Sequence, residues 1–184
     1  MKRSRVCFVD LEMTGLDYNN DSIIEVACFV VESDLSPVEG AELCLAVMPD
    51  DPTAFEKMDQ WNKDTHGPKG SNLVRRCLEE GVSTEEAEDR VMELLREHME
   101  EGAIFAGNSV WNDMNFVRAS WPRVAEFCTF RIIDVSSFKE VFRRIAPNGP
   151  RFRKNSDHTA LADAKGSLEE LRFYIDHFMR IDLG

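Results

Sequence analysis

No apolar run in these 184 residues is long enough to cross a bilayer. The longest, Val26 to Val31, falls far short of the roughly 20 residues a spanning helix needs. Positive charge is scarce too. Lysine and arginine number 22 against 34 aspartates and glutamates, a net charge of −12. That excludes a protein that coats long nucleic acid through a broad basic face, and leaves room for a small substrate in a local basic pocket. There is no Cys-x-x-Cys pair. The five cysteines, Cys7, Cys28, Cys44, Cys77 and Cys128, are odd in number and irregular in spacing. They fit neither a zinc site nor a disulfide framework, and read as reduced, buried fillers in a reducing compartment. Repeats, low-complexity segments and dividing linkers are also lacking. The chain, 43% hydrophobic and 30% charged, reads as one globular domain over residues 1–184 with no membrane segment. Met1 to Arg5 is basic, but a strand pattern follows at once, so no secretory or transit segment is expected. The expected compartment is the cytoplasm, or the mitochondrion if a presequence has been removed.

What is present begins as strands. Val6 to Leu11, Ile23 to Val31 and Glu42 to Val47 are separated by turn-rich Asn19-Asn20-Asp21 and Ser36-Pro37-Val38-Glu39-Gly40. This predicts an antiparallel meander. Ser83 with Glu86 offers a capping box, and Ala87, Val91, Leu94, Leu95 and Met99 then follow a helical period that Gly102 should end. Beyond it come a short buried strand (Ala103 to Gly107), a helix (Val110 to Ala119), a strand (Phe130 to Asp134) and a helix (Val135 to Ile145). A final helix is marked by the apolar stripe Ala160, Leu161, Ala164, Leu168, Leu171, Ile175 and Phe178. Strands followed by alternating strand and helix give a mixed α/β sheet with helices on both faces.

The first strand ends in Asp10-Leu11-Glu12. Residues two apart in a strand share a face, so two carboxylates project together from the end of a buried strand. Unpaired, they repel and lose solvation; a divalent cation such as Mg²⁺ or Mn²⁺ resolves the conflict. Three further residues lie far away in sequence: Asp113, near the start of a helix after Gly107-Asn108-Ser109; His158, before the last helix; and Asp163, within it. Each has an ordinary alternative, as a first-turn helix charge, a capping histidine and an exposed helix acid. Were both helical, His158 and Asp163 would stand about 140° apart, so His158 reads as standing off the helix start.

Taken together, Asp10-x-Glu12, Gly107-Asn108-Ser109-Val110-Trp111-Asn112-Asp113 and His158-x-x-x-x-Asp163 resemble, in order and spacing, the three motifs of DEDDh exonucleases. Asp10-Leu11-Glu12-Met13-Thr14-Gly15-Leu16-Asp17 resembles the signature of the oligoribonuclease family. So do Met58-Asp59-Gln60-Trp61-Asn62 with Thr65-His66, and Arg131-Ile132-Ile133-Asp134-Val135-Ser136. The resemblance runs from about Arg5 to Phe178. It implies a ribonuclease-H-like fold with a mixed five-stranded sheet, a homodimer, and 3′-to-5′ hydrolysis of very short RNA to 5′-mononucleotides.

The chemistry suits the residues. A phosphodiester needs a nucleophile, a charge clamp and a stabilised leaving oxygen, which two divalent ions about 3.5–4 Å apart supply. Asp10 is suited to bridge the ions, with Glu12, Asp113 and Asp163 completing the shells. His158 is suited to take the proton of the attacking water. By resemblance, Leu16 and Trp61 would wedge and stack the terminal bases, although Trp61 also fits a core tryptophan. Ser109, Arg131 and Ser136 would cap the substrate's 5′ phosphate, and His66 would reach across the dimer. The basic stretch from Arg151 to Lys154 fits a backbone contact or a solvated charge run equally.

Two positions depart from the family pattern. Phe130 stands where Tyr is frequent, which keeps a stacking surface and loses a hydroxyl. Trp111-Asn112 replaces a pair that is small or contains Gln. Two rivals compete with the RNA reading: a DNA-directed proofreading-type exonuclease, and a catalytically inactive nucleic-acid-binding protein on the same fold.

Overall fold

The structure, a computed structural model, describes residues 5–100, 102–153 and 159–178. The meander is present as β1 (Val6–Met13), β2 (Ile23–Val31) and β3 (Pro37–Met48), antiparallel in that order. Three helices follow, α1 (Ala54–Lys57), α2 (Gln60–His66) and α3 (Leu73–Glu80), then β4 (Val82–Ser83) and α4 (Thr84–His98). The chain then runs through β5 (Ala103–Gly107), α5 (Val110–Ser120), α6 (Pro122–Phe127), β6 (Cys128–Asp134), α7 (Val135–Ile145) and α8 (Ala160–Phe178).

The sheet order is β4-β3-β2-β1-β5-β6, with β5 parallel to both β1 and β6. Six strands replace the expected five. The addition, β4, is two residues alongside Val47 and Met48 of β3, too short to leave a periodic signal. Its Ser83 is also the N-cap of α4, accepting from the Glu86 amide at 3.1 Å.

The strand period sorts the core into two faces. Cys7, Val9 and Leu11 of β1 join Val26, Cys28 and Val30 of β2 beneath α4, α5 and α6. Val6 and Phe8 join Phe29 and Val31 beneath α7 and α8, where Phe8 stacks on its register partner Phe29 at 5.5 Å. Each fully buried Phe or Leu here contributes about 1.5–3 kcal/mol. Asp10 and Glu12 continue the Phe8 row, so they face α8.

Several boundaries moved. The turn after β2 closes earlier than expected, around Leu35 at φ 66, where Asp34 accepts from the Ser36 amide at 3.0 Å, and Pro37–Gly40 belong to β3. Helix α4 ends at His98, and Gly102, at φ +96, serves the turn into β5. The cysteines are all free thiols, but Cys44 is exposed and Cys128 half-buried. Cys44 lies on a strand whose burial alternates, with only one face covered. No described helix is long and apolar enough to cross a membrane.

Candidate active site

The C-terminal end of β1 meets the first turn of α8. One carboxylate oxygen from each of Asp10, Glu12 and Asp163 lies within 4.8 Å of the other two, and all three residues are half-buried. Asp163 arrives there because α8 starts beside the sheet: its amide donates to Thr159 O at 2.9 Å, and the Thr159 hydroxyl accepts from the Ala162 amide at 3.4 Å. Three carboxylates at this separation, with neither thiolate nor imidazole among them, form a hard oxygen donor set. It suits a hard divalent cation such as Mg²⁺ or Mn²⁺.

Asp113 stands apart from that trio. It projects from α5, on the opposite face of the sheet, and Oδ1 accepts from the Leu11 amide at 2.9 Å. Burial pushes its carboxyl up to about 7, with the Leu11 hydrogen bond pulling the other way. His158 lies outside the described residues, as does Lys154 of the basic loop.

The phosphate-cap residues are brought together in part. Ser109 and Ser136 begin α5 and α7, and their hydroxyl oxygens are 3.2 Å apart. The Ser109 amide donates to both Asp134 Oδ1 and Ser136 Oγ at 3.1 Å, in a left-handed conformation at φ 53. Two helix starts thus meet at one point, where the Asp134 carboxylate takes the amides of both serines and leaves their hydroxyls as the groups to meet a ligand. Arg131 is held elsewhere, with its guanidinium 4.6 Å over the Phe130 ring. Both lie where β6, an edge strand, is irregular: Ala103 and Phe105 pair with Cys128 and Ile132, so β6 carries extra residues there. That irregularity leaves Phe130 80% exposed.

Leu16 and Trp61 are 79% and 66% exposed, which rules out Trp61 as a core residue. Leu16 rides on a loop pinned by Asp21, which accepts from the Thr14 hydroxyl at 3.1 Å and the Asp17 amide at 2.9 Å. Gly15 makes this possible, since a Cβ there would meet Asp21 Oδ2 at 2.3 Å. Trp61 stands at the start of α2, capped by Asp59 through the Asn62 amide at 2.8 Å. His66 is the residue that the resemblance would send across a dimer. It is buried in its own chain, Nε2 3.8 Å from Glu12 Oε2, with its ring edge-on to Trp61 at 6.4 Å. The turn after α2 folds it inward, behind the carboxylates.

Two contributors escaped the sequence reading. Asp134 caps α7 and orders both serines; a helix-capping Asp before Val135 was the available signal. Asn108 accepts from Ser136 Oγ at 3.2 Å and donates to Ser167 Oγ at 3.1 Å and Glu170 Oε2 at 2.9 Å, tying the cap to α8. Nothing in the sequence marked that role.

An exonuclease family model matches residues 7–171, which makes the class that of nuclease hydrolases acting at chain ends. The oligoribonuclease of Bordetella pertussis is 37% identical over 180 residues, covering 97% of both chains. That of Xanthomonas euvesicatoria is 40% identical over 175 residues, 92% of this chain and 87% of its own. This chain belongs to the oligoribonuclease family. A zinc-bound complex of E. coli exonuclease I with single-stranded DNA shares the fold at a TM-score of 0.76 and 16% identity. The match covers 97% of this chain and 42% of that one, so this chain spans less than half of that structure's length.

Proposed function

We propose that this exonuclease removes nucleotides in the 3′-to-5′ direction from very short RNA, dinucleotides above all, releasing 5′-mononucleotides. The observation that carries the reading is the convergence of Asp10, Glu12 and Asp163 at the mouth of the sheet. Two divalent cations, Mg²⁺ or Mn²⁺, bound there would activate water and neutralise charge on the scissile phosphate.

The chain's own residues do the rest. Asp10, Glu12 and Asp163 fix where the phosphate sits. Asp113 orders the end of β1 through Leu11 and reaches the site through water. His158 takes the proton of the attacking water. Leu16 and Trp61, both exposed and carried on capped or pinned loops, stack and wedge the bases without reading them. Ser109 and Ser136 receive the 5′ phosphate, and Arg131 closes on it from the β6 edge. His66 supports Glu12 from behind. Phe130 keeps a stacking surface beside Arg131, and the working unit is a homodimer.

A time course on end-labelled, 5′-phosphorylated RNAs of two to about ten nucleotides tests the reading, with matched DNA alongside. Mononucleotides should accumulate from the 3′ end with Mg²⁺ or Mn²⁺ and not in excess chelator. Preference for matched DNA would favour the proofreading-type alternative, and absence of cleavage in every metal would favour an inactive binding protein.

A further inference from the structure

Glu25 is a charged residue at the centre of the sheet, flanked by Ile24 and Val26, and only 2% of it is exposed. A buried carboxylate is costly unless its oxygens are engaged and its charge is met. Here both conditions hold, and the partners come from two different helices. Oε1 accepts from Arg76 Nη1 of α3 at 2.5 Å. Oε2 accepts from the backbone amide of Ala160, the first residue of α8, at 3.0 Å.

The location gives the pair its meaning. Glu25 is the register partner of Glu12 across β1 and β2, so the two side chains stand side by side on one face. Ala160 lies one helical turn before Asp163 and two residues after His158. The amide that Glu25 holds is one of the orphan donors of a helix start, so its bond fixes where α8 begins. Arg76 has a second anchor, Glu80 Oε1 at 3.1 Å, and α3 is seated on the sheet through Leu73 and Cys77 beside Ile24. Glu25 therefore joins the cluster strand, the helix that brings Asp163, and the α2–α3 segment that brings Trp61 and His66. With both oxygens occupied, it is also kept out of the ligand set of the neighbouring acids.

We infer that Glu25, held by Arg76, is a positioning residue that sets the start of α8 and thereby the placement of Asp163. The inference rests on the reading of Asp163 as part of the active site. Glu25→Gln keeps the volume, but its amide cannot accept from both Arg76 and Ala160. Loss of such an outer partner costs about 10–100-fold in activity or cation affinity.

The test measures wild type, Glu25→Gln, Arg76→Met and Arg76→Lys on a 5′-phosphorylated RNA dinucleotide, well below their unfolding temperatures. Mn²⁺ affinity is measured by calorimetry and amide exchange by NMR. Expected for Glu25→Gln and Arg76→Met is a fall in kcat of about 10–100-fold with KM within about threefold, and weaker Mn²⁺ binding. Exchange should quicken at Ala160 through Asp163 and stay unchanged in the β1–β2 core and at the end of α8. Arg76→Lys, which retains the positive charge and a donor group, should recover most of what Arg76→Met loses. Wild-type kcat and unchanged Ala160 exchange in Glu25→Gln overturn the inference. So does a kcat loss that merely follows the fraction unfolded. An inactive wild type would instead overturn the exonuclease reading, while the exchange result would still report on α8.

Discussion

The Leu11 amide donates to Asp113 Oδ1 across 2.9 Å and 102 residues of chain. Leu11 is where β1 outruns its parallel neighbour: β5 pairs with Cys7 and Phe8 and ends at Gly107. Asp113 thus supplies the acceptor that the sheet no longer provides, between the two acids of the Asp10-x-Glu12 pair. A backbone bond and a buried acid together fix the geometry of the site's first strand.

That burial has a pH signature. The Asp113 carboxyl is pushed up to about 7, whereas an aspartate in the unfolded chain titrates near 4. Between those values the folded protein holds a proton that the unfolded chain has released. Stability in chelator should therefore fall as pH rises from about 4 to 7 and level off above. Asp113→Asn keeps an acceptor for Leu11 and removes the titration. Its advantage over wild type should grow across that window to, at most, on the order of 4 kcal/mol. Chemical unfolding of both proteins from pH 4.5 to 8 checks this; parallel profiles would contradict it.

The carboxylate cluster predicts opposite effects on turnover and stability. Asp10→Asn and Asp163→Asn keep volume and lose charge where a cation needs it, so kcat should fall about a hundredfold or more. In chelator the same variants should melt at or above the wild-type temperature, because clustered acids repel. A near-normal rate in either folded variant would misplace the site.

Asn108 predicts a defect confined to the cap. Removing its side chain takes an acceptor from Ser136 and a donor from the buried Glu170. In Asn108→Ala, the advantage in kcat/KM of a 5′-phosphorylated over a 5′-hydroxyl dinucleotide should shrink about tenfold, the worth of one weakened bond to a charged group. Equal loss on both substrates would mean that Asn108 acts on the whole site.

The parts of this molecule legible in the sequence were those with a short-range period. Alternation along β1 put Asp10 and Glu12 on one face, and the stripe along α8 placed that helix over residues where Asp163 could meet them. What escaped was set by distant partners. Whether Trp61 is core or surface depends on what lies beside α2, and two residues of β4 carry no period. Glu25 lies inside the strand run Ile23 to Val31, and its partners Arg76 and Ala160 cannot be named from spacing. Spacing marks Asp113 as a candidate ligand, but the bond of its Oδ1 to the Leu11 amide depends on a strand 102 residues away. The inward fold of His66 likewise depends on the turn that follows it.

The last prediction concerns substrate length. Acting on long RNA needs an open channel with many backbone contacts, and this chain has a net charge of −12. Ser109 and Ser136, whose hydroxyls meet at 3.2 Å where α5 and α7 start, are the proposed seat of the substrate's 5′ phosphate. If a terminal 5′ phosphate is held there, as proposed, a chain that continues past it forfeits the terminal dianion. Arg131 rests over the exposed Phe130 ring at the irregular edge of β6 and, in the proposed reading, closes on the phosphate from there. Rejecting a misfit by loss of charged bonds is worth a few kcal/mol. A 5′-phosphorylated dinucleotide should therefore be cut at least about tenfold faster, in kcat/KM, than a matched RNA of five or more nucleotides. Arg131→Ala should slow the dinucleotide and narrow that ratio, since it removes the contact only the short substrate makes. Phe130→Tyr adds a hydroxyl donor beside Arg131 and should hold or sharpen the ratio. Equal kcat/KM from two to about ten nucleotides, unchanged by Arg131→Ala, would sink the closed-end model and leave the carboxylate chemistry standing.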